Sequence, residues 1–209
     1  SHGDEIMAAF PYCTRKRKGF RLLQLPALTS FLGFWIRYPG NQKYASKLSY
    51  EMEVYTALID KLPDFDFFRY RFHYSLTNWL PFYWKGFEQT TRYTYVLDIG
   101  NLESVFAEFK SSVRGKIKKA AAIVKTETDR PVEDFYKLFS MTFERQKIKV
   151  PVTFEYIKRI DAALHDQGRR KIFYAVDASG KIHSALYLIW DNQSAYLHML
   201  GENPELRNS

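Results

Sequence analysis

The chain has 209 residues, 46% of them hydrophobic, which is enough to bury a sizeable core in one large or two small domains. Its net charge of +8 fits an anionic partner such as a phosphate, a nucleotide, RNA or a membrane surface, although a solvated basic face explains the charge equally well. The single Cys13 excludes an internal disulfide and a cysteine-based zinc site, and the apolar stretches are too short to span a membrane, so we expect a cytoplasmic protein.

The first half of the sequence alternates predicted strands with one clear helix. We expect strands over residues 4–13 and 20–25, joined by a polar hairpin tip over residues 14–19. After a loop to about residue 44, apolar side chains recur at helical spacing from Leu48 to Leu62, and Pro63 ends that helix. Further strands are predicted over residues 65–74 and 93–99, with a short helix over residues 78–83 between them.

The second half begins with helices. A short amphipathic segment covers residues 102–109. We expect Ser111 or Ser112 to cap a second helix, whose apolar stripe runs from Val113 to Val124. A third helix is predicted from about Pro131, and a fourth is capped by Thr153 and ended by Gly168.

The end of the chain has the pattern of an antiparallel meander. Residues 170–176, 181–190 and 194–201 are rich in β-branched and aromatic side chains and are separated by turns of Asp, Asn and Gly. Helices followed by such a meander are typical of an α+β domain. Asn203, Pro204 and Glu205 then have the pattern of a helix start, whose free N–H groups can bind an anion.

Four basic residues lie at the start of the predicted second helix: Arg114, Lys116, Lys118 and Lys119. Cations at this end oppose the helix dipole, so local stability does not require them, and a ligand would explain them. Arg114 and Lys118 share a face opposite the apolar stripe, where they could hold a phosphate or a carboxylate beside the capping serine hydroxyls. A solvated helix face is the alternative. A second basic run, residues 15–18 at the hairpin tip, fits either solubility or contact with phosphates.

The second helix, the aromatic helix pair after it and the meander through residues 195–209 together resemble the GNAT acyltransferase superfamily. The sequence is similar to its FemABX-like branch, which has two GNAT-type domains in tandem and a helix of the form Arg-x-Lys-Ile-x-Lys-Ala after their junction, as residues 114–120 have. The resemblance implies a mixed α+β fold, with a mostly antiparallel sheet flanked by helices, in two pseudo-repeated units. Residues 4–99 would be a remnant of the first GNAT-like domain, and residues 100–209 the incomplete N-terminal part of the second.

The resemblance also implies an acyl donor, either acyl-CoA or, as in the Fem enzymes, aminoacyl-tRNA. GNAT proteins bind the donor pyrophosphate with a glycine-containing loop after the fourth strand, and residues 26–33 of the first half lack that pattern. In the second half the loop would begin near Arg207, so the predicted donor-binding residues are Gly201, Arg207, Asn208 and Ser209. Because the sequence stops there, we expect these 209 residues alone to be inactive and the intact parent to be the transferase.

The implied reaction is attack of an acceptor amine on the donor carbonyl. The acceptor would be an anionic small molecule or a peptidoglycan precursor held by the basic residues of the second helix. His198, on the third strand of the meander, is the predicted general base, with Glu202 behind it, and a structural histidine is the alternative. Backbone N–H groups at a strand bulge would stabilise the oxyanion. Metalloprotease, serine hydrolase and Walker motifs are absent from the sequence.

Two competing functional classes remain at the level of sequence. One is a non-enzymatic module that binds anions or nucleic acid, and the other is a catalytically inactive GNAT scaffold. Aromatic residues make up 17% of the chain, and their placement separates the classes. Rings packed in the interior favour the transferase, whereas rings exposed among Arg and Lys on one sheet face favour a stacking platform.

Overall fold

The computed structural model describes residues 5–128 and 130–207. The chain separates into two compact units, with the division between Tyr93 and Thr94. Both units combine helices with strands, which confirms the predicted mixed α+β class. The interpretation of residues 4–99 and 100–209 as two GNAT-like copies stays a prediction, and Asp4 lies outside the described residues.

The first unit is built on short strands. Its elements are β1 (Ala8–Ala9), β2 (Cys13–Arg17), β3 (Phe20–Gln24), β4 (Trp35–Ile36), α1 (Tyr44–Ile59), β5 (Phe67–Arg69) and α2 (Leu80–Trp84). β1 pairs with β4, and β3 lies between an antiparallel neighbour, β2, and a parallel neighbour, β5. Both helices predicted in this half are confirmed, and α1 starts four residues earlier than the apolar spacing indicated.

The hairpin of the first unit turns more tightly than the sequence predicted. Lys18 and Gly19 both have positive φ, 52° and 87°, which is the two-residue geometry that matches the twist of the flanking strands. The predicted tip over residues 14–19 was wrong, since residues 14–17 belong to β2. Most of the basic run therefore lies along a strand.

Two strand predictions in this half were too long, and a third was wrong. The strand expected over residues 4–13 is reduced to β1, and the one over residues 65–74 to β5. Residues 93–99 form no strand, and Tyr93 and Tyr95 are almost fully exposed. Their alternating pattern has no neighbouring strand to pair with, and an unpaired strand has no source of stability.

Aromatic rings fill the interior of the first unit. Phe34 stacks on Tyr55 with ring centroids 4.3 Å apart, and Phe72 lies 5.0 Å from Phe82. Such pairs contribute about 0.5–1.5 kcal/mol beyond the burial of their area. Tyr55 and Phe82 are buried, but other rings of this unit, including Phe20, Phe67 and Tyr74, are exposed, so the placement of the aromatic residues does not by itself separate the functional classes.

The second unit contains α3 (Leu102–Glu108), α4 (Ser111–Ile123), β6 (Val124–Glu127), α5 (Val132–Arg145), α6 (Phe154–Asp166), β7 (Arg170–Asp177), β8 (Ile182–Trp190) and β9 (Ala195–Glu202). Its strands form one antiparallel sheet in chain order, which confirms the meander and adds β6 at one edge. A 3-10 turn over Pro204–Leu206 follows β9, and the Asn203 side chain accepts the N–H of Glu205. The predicted helix start is thus a single short turn.

Helix α4 begins and ends differently from the prediction. Its N-cap is Lys110, without a side-chain hydrogen bond, so the predicted cap at Ser111 or Ser112 was wrong. Val124 already belongs to β6, because the chain passes directly from the helix into the strand. None of the residues of α4 is buried, and Val113 and Ile117 of its apolar stripe are exposed.

Helices α5 and α6 have the termini that the sequence indicates. Thr153 accepts the N–H of Tyr156 at the start of α6, and Gly168 takes the left-handed conformation just after its end. In the part of the chain that is described, no helix is long and apolar enough to cross a lipid bilayer.

The core of the second unit joins these helices to the sheet. Phe135 of α5 and Ile157 of α6 are fully buried, as are Tyr174 and Tyr187 on β7 and β8. The rings of Phe135 and Tyr187 meet edge to face with centroids 5.3 Å apart. The helices therefore cover the sheet face that carries the two buried tyrosines.

A buried carboxylate ties α6 to the sheet. Asp161 is only 8% exposed and accepts hydrogen bonds from the Tyr187 hydroxyl at 2.7 Å and from Arg170 Nη2 at 2.9 Å. Arg170 Nε also lies 2.8 Å from the same carboxylate, at ion-pair distance but without hydrogen-bond geometry. Burial, together with the hydrogen bond that Tyr187 donates to Asp161, raises the pKa of Tyr187, so its hydroxyl keeps its proton. The network fixes α6 against β7 and β8.

Replacing Asp161 by Ala should destabilise the protein by about 3–5 kcal/mol, because the buried Arg170 cation would lose its partner. Tyr187→Phe removes one hydrogen bond and should cost only about 0.5–1.5 kcal/mol. Urea unfolding of both variants measures the difference. An Asp161→Ala variant no less stable than Tyr187→Phe would contradict a structural ion pair at this position.

Candidate active site

Strand β9 carries one extra residue opposite β8. Tyr187 pairs with Met199 and the next residue, Leu188, pairs with Leu197, so His198 has no counterpart on β8. This arrangement is a β-bulge, which interrupts the hydrogen-bond ladder and leaves the extra residue unpaired. The predicted general base therefore lies at a point where the strand bends and backbone groups are released from the sheet.

The surroundings of His198 favour a neutral imidazole. Its side chain is half-buried, and its ring lies edge to face with the buried Tyr187 at a centroid distance of 6.2 Å. Burial lowers the pKa of His198, because a charged imidazolium loses hydration there. A neutral imidazole has a free lone pair, so the ring can accept a proton at neutral pH.

Gly201 lies where β9 meets α5. A Cβ atom at this position would lie 2.6 Å from the Phe139 backbone nitrogen and 2.7 Å from the Leu138 carbonyl carbon. Since backbone atoms of a packed helix cannot move aside cheaply, only glycine fits. The structure gives Gly201 a packing role, and its predicted contact with a donor stays a prediction.

Glu202 is anchored to α5 rather than to His198. Its backbone N–H donates to the Thr142 hydroxyl at 3.1 Å, and its carboxylate lies 2.9 Å from Arg145 Nη1. Arg207 Nε lies 3.7 Å from the same carboxylate oxygen. The Glu202 carboxylate thus faces two arginines, and its predicted place behind His198 stays a prediction.

Arg207 follows the 3-10 turn and is exposed. Its 3.7 Å contact with the Glu202 carboxylate is longer than a hydrogen bond. Its guanidinium is thus available to an anionic ligand. Asn208 and Ser209, the other predicted donor-binding residues, lie outside the described residues. His198, Gly201 and Arg207 lie within ten positions of the chain, in β9 and just after the 3-10 turn that follows it.

The basic cluster of α4 is only partly free. Arg114 is half-buried and donates to the Ala107 carbonyl oxygen of α3, so it joins the two helices. Lys116, Lys118 and Lys119 are exposed, and among the described residues none of the three forms an ion pair within 4 Å. The role of these four residues in substrate binding stays a prediction.

Sequence reasoning missed a second irregular position in the sheet. Ala175 pairs with Ser184 and Val176 with Ile182, so His183 is the extra residue of β8 opposite β7. Its Nε2 lies 3.1 Å from the Asp177 carboxylate. Hydrogen bonds from Ser179 and His183 lower the pKa of Asp177, which keeps the turn charged. The turn itself was predicted, but the register shift that positions the histidine has no signal in the sequence.

Comparison with known families agrees with this geometry. Residues 107–209 match the family model of the acetyltransferase (GNAT) domain. The chain has no significant match among curated proteins. Residues 107–209, a little under half of the chain, are thus similar to a GNAT-type acetyltransferase domain, and the matched residues include the bulge at His198 and the end of β9.

Gly201→Ala should destabilise the protein by about 1–3 kcal/mol, since the added methyl group would overlap the α5 backbone. Gly115→Ala is the matched control, because a Cβ atom there would meet nothing within 4 Å. Within a helix this change should stabilise by about 0.5–1 kcal/mol. Denaturant unfolding measures both changes, and equal effects of the two substitutions would refute the close approach at Gly201.

Proposed function

We propose that the protein is an N-acyltransferase that moves an acyl group from an activated donor to an amine. The observation that carries the proposal is the match of residues 107–209 to the GNAT domain. The order of elements, with two helices followed by an antiparallel meander, and the bulge in its last strand support the same conclusion.

The reaction requires a base and a site for negative charge. The acceptor nitrogen attacks the acyl carbonyl carbon, a C–N bond forms, and the bond from that carbon to the donor's leaving sulfur or oxygen breaks. His198 would take the proton lost by the attacking amine, and its half-buried, neutral ring suits this role. The N–H groups that the bulge releases from the ladder would donate to the oxyanion of the tetrahedral intermediate.

Acyl-CoA is the proposed donor, with aminoacyl-tRNA as the alternative. Arg207 would bind a donor phosphate, together with Asn208 and Ser209 next to it. Gly201 would contact the donor only through its backbone groups, since α5 fills the space where a side chain would lie. The net charge of +8 suits either donor, since both carry several phosphates.

The acceptor class follows from the resemblance to the FemABX-like branch. An anionic small molecule or a peptidoglycan precursor would be held by Lys116, Lys118 and Lys119, with Arg114 beside them. The three exposed lysines support this assignment, because no carboxylate of the described residues neutralises them. A cytoplasmic location would give access to either donor.

Removal of the His198 imidazole tests the catalytic assignment. We expect His198→Gln to lower kcat/KM by about 10²–10⁴-fold in the natural full-length protein, while His165→Gln, an exposed histidine of α6, leaves it unchanged. Because burial lowers the pKa of His198, kcat/KM should rise with pH through a limb below the ordinary histidine value of about 6.5 and be level at neutral pH. Amine-dependent thiol release from acyl-CoA, or deacylation of aminoacyl-tRNA, provides the measurement. Absence of transfer with both donor classes across a broad amine panel would overturn the proposed function.

Lys118→Ala should raise the Kd of the anionic acceptor found in that amine panel by about 10- to 150-fold and leave the Kd of the donor unchanged. A charged hydrogen bond in a desolvated site is worth about 1.5–3 kcal/mol. Lys137→Ala, an exposed lysine of α5, is the control, and neither change should alter unfolding by more than about 0.5 kcal/mol. Adding Arg114→Ala should weaken acceptor binding further, and it should also remove the hydrogen bond that joins α4 to α3. Titration calorimetry measures the affinities, and an unchanged acceptor Kd in the double variant would favour a solvated helix face.

A further inference from the structure

One face of the small sheet in the first unit combines exposed rings with unpaired arginines. Directly paired residues point to the same side of a sheet, and the register pairs Arg17 with Phe20, Arg15 with Leu22, and Leu22 with Phe67. Side chains two positions apart on a strand also share a side, which adds Arg69 of β5. We call this side of β2, β3 and β5 the outer face.

Two phenylalanines stand out from the outer face into solvent. Phe20 is 63% exposed and Phe67 is 53% exposed, although aromatic rings of this size normally gain stability by burial. They lie on neighbouring strands, two residues apart along the strand direction, which places them roughly 8 Å from each other. The opposite side of the sheet is the packed one, where Leu23 is buried and Phe68 contacts Phe87 with centroids 4.9 Å apart.

The cations of the outer face have no internal partner. Arg15, Arg17 and Arg69 are exposed, and none of them forms an ion pair with a carboxylate of the described residues. The acidic residues near this sheet are engaged on its other side, where Asp64 and Asp66 bind Arg21 at 3.2 Å. The outer face therefore presents positive charge that the fold does not neutralise.

We propose that the outer face binds single-stranded nucleic acid, with bases stacked on Phe20 and Phe67 and phosphates held by Arg15, Arg17 and Arg69. Every base has a π-face, so exposed rings on a flat sheet accept successive bases without reading their sequence. Guanidinium groups bind phosphates through two parallel hydrogen bonds and also stack on bases. A duplex fits poorly, because its bases are already stacked on one another. The proposal is independent of acyl transfer.

The first test separates stacking from charge. A fluorescent single-stranded oligothymidylate should bind the protein more tightly than a duplex of the same length, and more tightly than a chain of abasic nucleotides with the same phosphates. Phe20→Leu with Phe67→Leu keeps the apolar surface and removes the rings, and should weaken binding at least about fivefold, the lower end of what one stacked base contributes. Equal binding of the normal and abasic strands would overturn the proposal.

The second test concerns the phosphates. Each phosphate contact adds about 0.7 to the slope of log affinity against log salt for a single strand, so Arg15→Gln should reduce that slope by about 0.7. Arg159→Gln, an exposed arginine of α6 in the second unit, removes the same charge elsewhere and should leave the slope unchanged. Equal slopes for the two variants would show that the binding follows net charge and not the outer face.

The third test uses the protein's single thiol as a reporter. Cys13 is exposed and lies on β2, where it pairs with Gln24 of β3. Because it is two residues before Arg15 on the same strand, its side chain lies on the outer face. An oligothymidylate concentration close to the Kd should slow the reaction of Cys13 with N-ethylmaleimide, and at that same concentration the Phe20→Leu/Phe67→Leu variant should be protected much less. Anionic vesicles are the comparison: protection by vesicles that survives in the leucine variant, without protection by the oligonucleotide, would assign the face to a membrane and refute the proposal.

Discussion

The second unit depends on the close approach of α5 to β9 at Gly201. With no side chain in between, the backbone of the strand lies directly against the helix, and the Glu202 N–H then reaches the Thr142 hydroxyl. The contact fixes the end of β9 against α5, three residues after His198, which is the extra residue of the bulge. The packing of β9 on α5, next to the strand that carries the candidate base, thus depends on one position that tolerates only glycine.

The sequence predicts the second unit well because its signals are local. Thr153 and Gly168 bound α6 by their own capping chemistry, and the meander strands are separated by turns of Asp, Asn and Gly. Predictions failed where a tertiary partner decides the structure. Residues 124–127 become β6 only because β7 is available to pair with them, and residues 93–99 stay irregular because no strand lies beside them.

The candidate sites were predictable only in part. His198 could be placed on a strand, but its bulge is a matter of register, which the sequence does not encode locally. The outer face was even harder to predict from the sequence. Interpreting residues 14–19 as a loop made the basic run resemble a solvated tip, whereas the two-residue turn at Lys18 aligns Arg15 and Arg17 with rings from two other strands. Phe67 and Arg69 reach that surface from a distant part of the sequence.

The connectivity of the second sheet also sets the order in which it can assemble. β7, β8 and β9 pair with their neighbours in sequence across short turns, so little chain entropy opposes their formation. β6 must instead wait for residues 128–169, which include both packing helices, to fold back on the sheet. Chain entropy therefore favours the meander as the first part of this sheet to form, and β6, an edge strand paired only with β7, as the last to join it.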